Sequence, residues 1–124
     1  MFILIIILQL IVALGIYNVW FLRANRKTPY RGKNASSLKN EFASYGLPDW
    51  SLYLIGTIKV TAATALIIGI WFPIIVPFAS GVLGIMMVGA IFMHIKVQDS
   101  FKKTMPALDM FILSMLILLL GFYV

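Results

Sequence analysis

Four polar side chains stand in stretches of sequence that are otherwise almost wholly apolar: Asn18, Lys59, His94 and Asp109. Their types suggest two kinds of chemistry. A lysine and a carboxylate at hydrogen-bond distance can pass a proton inside a membrane, and an imidazole can donate to a ring carbonyl such as that of a quinone. An ionisable residue within a span is a functional candidate by default. Each also has a plain structural reading. Lys59 lies nine positions past Trp50, about 13 Å along a helix, and can snorkel back to the near interface. Asp109 can stabilise a helix start near its positive dipole end. His94 can be a hydrogen-bonded interfacial residue, and both readings stay open at this stage.

Depth brings the four together. Side chains on a helix lean toward its N-terminus, so the Lys59 ammonium descends toward the level of Asp109. The expectation is that Lys59 and Asp109 bond directly or through one water, with His94 and Asn18 bordering the same pocket. Gln9 falls too far toward the other face to join them. No catalytic residue can be named: there is no Ser-His-Asp set and no phosphate-cradling glycine motif. With no cysteine and a single histidine, the chain has no thiol chemistry, no bis-imidazole haem pair and no recognisable metal site. The seven methionines read as packing residues.

The elements that must position these groups are membrane helices. The chain is 62% hydrophobic and 11% charged, with a mean hydropathy of +1.02. A soluble domain of 124 residues could not hide that much apolar surface. Apolar runs at about 2–22, 50–72, 77–95 and 106–124 are each long enough to cross a core of about 30 Å. The fold class is therefore all-α, a single transmembrane four-helix bundle over 1–124. Trp20, Trp50 and Trp71 fall at span ends, where indole rings prefer to sit.

Nine of the ten Lys and Arg residues lie in two polar loops, 23–49 and 96–105. That is a positive-inside pattern rather than a nucleic-acid patch, so the partner is the lipid bilayer and no nucleic acid. It predicts both loops in the cytoplasm and both termini outside, in a multi-pass protein of a bacterial inner or plasma membrane. A cleaved signal is disfavoured, because Arg23, Arg26 and Lys27 follow the first run and no basic residue precedes it. Asn34-Ala35-Ser36 matches a glycosylation acceptor that a cytoplasmic loop would never use. Leu38, Phe42 and Tyr45, spaced i, i+4 and i+7 behind Ser36-Ser37, predict a short helix lying on the membrane surface. Asp49 is the expected N-cap of the second span, and Pro106 the expected first-turn residue of the fourth. Small residues, from Gly56, Ala62 and Ala63 in the second span to Ala79, Gly84 and Gly89 in the third, suit close helix packing.

Several short motifs occur in order: Gly46-Leu47-Pro48, Ile55-Gly56-x-x-Lys59, Gly69 before a proline turn, Met93-His94-Ile95-Lys96-Val97-x-Asp99 and Lys103-x-x-Pro106-Ala107. Together they resemble the DoxX-like family of small membrane proteins. The resemblance covers about two-thirds of the chain and implies a four-helix membrane bundle. It also implies an association with redox systems, since the name-giving members are tied to thiosulfate:quinone oxidoreductase.

Three functions follow as expectations. The first is a non-catalytic membrane subunit or interaction module, requiring no cofactor and serving a membrane redox partner or a homo-oligomer. The second is a quinone-binding subunit, with His94 donating to a quinone oxygen and Lys59 or Asp109 relaying protons. The third is a small solute or proton carrier acting as an oligomer, although one copy supplies few spans and no paired broken helices.

Overall fold

A computed structural model describes residues 2–22 and 37–123. The expectations for Arg23, Arg26, Lys27 and Asn34-Ala35-Ser36 fall outside the described residues. In chain order the elements are α1 (Phe2–Tyr17), a π-helical segment (Asn18–Leu22), α2 (Leu38–Ser44), α3 (Asp49–Ile68), a 3₁₀ turn (Pro73–Ile75), α4 (Val76–Lys96) and α5 (Phe101–Tyr123). Four of these stretches are long and apolar enough to cross a membrane: Ile3–Leu22, Asp49–Ile68, Pro73–Lys96 and Phe101–Gly121. Helices are the element such sequences must form, because lipid offers no partner for an unpaired backbone amide. The protein is a multi-pass, all-α membrane bundle.

Around the bundle, α1 packs between α3 and α5, while α4 packs between α3 and α5 on the other side. Val12, Ala13, Ala63, Leu66, Leu83 and Ile117 form the centre of the core. Alanines at Ala13, Ala62, Ala63 and Ala79 let the backbones come close, which favours helix association in lipid. Gly84 takes the Met115 methyl against its backbone, and Gly15 takes that of Met110. Gly89, by contrast, faces open space.

The end of the bundle that holds the 3₁₀ turn is closed by backbone chemistry. Past Ala65 the α3 hydrogen bonds tighten, so that the Ile70 amide donates to Ile67 rather than to Leu66. The Leu66 carbonyl is thereby released, and buried Gln9 donates to it from α1 through Nε2 at 2.7 Å. A helix-end carbonyl that would otherwise be orphaned thus ties two helices together.

Three element ends differ from those expected. Pro48, not Asp49, occupies the N-cap position of α3, and Asp49 is its first helical residue. α3 ends at Ile68 instead of running to Phe72, because the tightened turn precedes Pro73. α5 begins at Phe101 and passes through Pro106, which therefore sits inside the helix. The missing proline amide leaves only the Lys102 carbonyl without its helical donor, one turn from the helix start where such carbonyls are readily solvated.

Candidate functional site

The strongly polar residues gather at the opposite, basic end of the bundle, where α1 and α4 finish and α3 and α5 begin. The last turn of the first span is π-helical, a widened geometry that often accompanies sites. Trp20 lies within it and stacks over Gly56 of α3. A Cβ at position 56 would stand 2.7 Å from Cζ3 of the indole, so glycine is what admits the ring. One helical turn further along α3, Lys59 places Nζ 5.7 Å from the centre of the Trp20 ring, a cation–π contact.

Phe42 meets the same indole edge-on, with ring centres 6.0 Å apart, and so docks α2 on the bundle. α2 forms where the spacing places it. Ser37 caps it by accepting the Asn40 amide at 3.2 Å, and Leu38, Phe42 and Tyr45 are all buried. Its apolar face is therefore turned to the bundle rather than simply laid on a membrane surface. Glu41 is buried beside Phe42 and accepts a 2.6 Å hydrogen bond from the Tyr45 hydroxyl.

Tyr45 carries the network on to α4. Its ring lies edge-on to His94 at 6.0 Å, and its carbonyl accepts from Lys96 Nζ at 3.4 Å. His94 is paired through Nδ1 with Asp99 Oδ2 at 2.8 Å, and both side chains are almost fully buried. Asp99 reaches back because the chain reverses just after α4. Gln98 takes a left-handed φ of 59°, and the Asp99 amide donates to the His94 carbonyl at 2.9 Å. A carboxylate bonded to Nδ1 fixes the orientation of the imidazole and favours the tautomer with its proton on that nitrogen.

The expected four-residue pocket does not form. Lys59 and His94 lie at the same end, bridged by Trp20, Phe42, Glu41 and Tyr45, not side by side. Asp109 is exposed on α5 and makes no bond with Lys59. Asn18 is half-buried at the start of the π-helical segment and makes no side-chain bond with the other three. Depth matched Lys59 with Asp109, but depth does not fix which way a helix face turns. Glu41, Tyr45 and Asp99 were missed. Glu41 and Tyr45 stand at i and i+4, a readable pairing, whereas Asp99 depends on the backbone reversal at Gln98.

Two grooves flank α3. One, of about 530 Å³, runs between the π-helical segment, α2 and α3 and is lined by Trp20, Lys39, Tyr53, Gly56 and Thr57. The other, of about 550 Å³, separates α3 from α4 along Thr61, Ala65, Phe78 and Val82. Among the described residues no three His, Asp or Glu side chains cluster in a way that could hold a metal.

The sequence profile of the DoxX-like family matches residues 31–119, and the chain belongs to that family. No curated protein and no solved structure shows significant similarity to it.

Proposed function

We propose that this DoxX-like protein is a small non-catalytic membrane subunit or interaction module. The observation that supports this most is the pairing of the polar groups at the basic end with one another: Glu41 with Tyr45, His94 with Asp99, Lys59 with Trp20. The His94–Asp99 pair ties the α4–α5 turn to α4, Lys59 and Trp20 join α3 to the first span, and the Glu41–Tyr45 bond holds together the α2 turn that Phe42 docks on Trp20. They make a rigid end and leave the outer helix faces as the surfaces available to other molecules. The charge bias of the loops supports a reading in which this end faces the cytoplasm, with the bundle in a bacterial inner membrane. Gentle purification from native membranes tests the reading. The expected result is co-purification with a defined membrane protein; reproducible isolation alone, with turnover of its own, rejects it.

A second reading, a quinone-binding subunit, is favoured by the His94–Asp99 pair. A carboxylate on Nδ1 orients the imidazole so that Nε2 can engage a ring oxygen, directly or after protonation. Lipid extracts of the pure protein would then contain tightly bound quinone, and quinone reduction by its complex would fall in a His94→Ala strain. Absence of quinone together with unchanged reduction removes this reading.

A further inference from the structure

Asp109 is out of place for a lipid-facing residue. It lies on the exposed side of α5 in register with Met105, Ile112, Leu116 and Leu119, and it makes no hydrogen bond or ion pair among the described residues. It stands about 12 Å along the axis from Phe101, beyond the first turn in which the helix dipole helps an acid. Its single methylene cannot carry the carboxylate to the interface as the longer stem of a lysine can. An aspartate at the centre of a spanning helix costs about 2.5–3.5 kcal/mol on insertion scales, and less toward the ends. A basic group outside the four-helix bundle would offset this cost.

The rest of the face suits a helix. Positions 105, 109, 112, 116 and 119 alternate steps of four and three, the spacing of a seam that receives another helix at a shallow crossing angle. α5 is also the least covered span, with 17% of its window buried against 28–33% for the other three. A second copy of the chain fits poorly. A two-fold axis along the membrane normal would set Asp109 against the partner subunit's Asp109 at equal depth.

We propose that this face of α5 docks a transmembrane helix of another membrane protein, one that carries a lysine or arginine at the depth of Asp109. The proposal rests on the interaction-module reading and names its surface and the chemistry of its partner.

The test uses the full chain in its native membrane, with a photo-crosslinking amino acid at Ile112 or Leu116 and, as controls on other faces, at Tyr53 or Phe78. The α5 positions should give one discrete protein adduct whose crosslinked peptide is a spanning segment with a basic residue. Asp109→Lys should reduce that adduct at least tenfold, and changing the partner's basic residue to aspartate should restore it. Asp109→Leu, which removes the charge without burdening insertion, should also lose the adduct while the bundle keeps its helical spectrum. An adduct only with lipid, with a second copy of the chain, or with the loop 23–36 of the same chain overturns the proposal. So does an adduct indifferent to Asp109→Leu. Adducts from Tyr53 or Phe78 alone overturn it while leaving the interaction-module reading intact; no adduct anywhere, from a protein that turns over alone, ends both.

Discussion

His94 and Asp99 form a buried polar pair at the basic end, and its consequence can be measured. A hydrogen bond to a charged group contributes about 1.5–3 kcal/mol, and removing one partner leaves the other buried without compensation. His94→Ala and Asp99→Ala are each expected to lower the unfolding free energy in detergent by about 1–3 kcal/mol. The double variant should lose less than the sum, because the pair is broken only once. Additive losses would show that the two side chains do not depend on each other. Gly56 makes a different kind of claim. Its missing Cβ is the space the Trp20 indole occupies, so Gly56→Ala must displace the ring, at about 1–3 kcal/mol for an overpacked contact. In a background with Trp50 and Trp71 changed to phenylalanine, Trp20 emission should shift in the Gly56→Ala protein. An unchanged spectrum would mean that the ring does not rest on this glycine.

At the scale of elements, α2 is the piece whose attachment decides the site. It is a helix of seven residues, too short to persist alone in water, so packing and capping must hold it. Ser37→Ala removes the cap and should cost about 1 kcal/mol. Tyr45→Phe removes the hydroxyl that bonds the buried Glu41 carboxylate, at about 1.5–3 kcal/mol. Hydrogen exchange over 38–44 is the direct reading: both variants should speed it selectively, leaving α3 and α4 protected. Equal acceleration in all helices would contradict a separately docked α2.

The same element shows how far the sequence could be read. Spans were legible because lipid demands runs of about twenty apolar residues, and α2 was legible from its serine and its i, i+4, i+7 spacing. The start of α5 was not, because Pro106 resembles a first-turn residue while the helix already begins at Phe101. The inward face of α5 was not legible either. In lipid both faces are apolar, so no polar–apolar alternation marks the phase of the helix. Ser114 and Ile117 point to the core, and the 3.6-residue turn places Asp109 roughly 110° around the axis from their mean direction. A depth argument alone therefore paired it with Lys59 wrongly.

For the molecule as a whole, polar contacts hold the bundle toward both ends, and a 2.7 Å bond between the Tyr17 and Thr64 hydroxyls joins α1 to α3 besides. Gln9 and Leu66 tie α1 to α3 toward one end, and the Trp20–α2–His94–Asp99 network closes the other. Along α3, Leu66 stands about 15 Å from Gly56, farther than the separation beyond which substitutions act independently. Gln9→Leu leaves the Leu66 carbonyl unpaired, at about 0.6–2 kcal/mol for an interhelical bond in a membrane. Combined with His94→Ala, it should give a loss equal to the sum of the two within about 0.5 kcal/mol. Tyr45→Phe with His94→Ala should depart from additivity by about 0.5 kcal/mol or more, since the Tyr45 ring packs on the imidazole and both changes loosen one network. Unfolding free energies of these single and double variants in one bicelle mixture decide the matter. Coupling between Gln9 and His94 as large as that between Tyr45 and His94 would mean that the bundle senses its two ends as one unit. The closed far end and the basic end held by α2 would then not be separate devices.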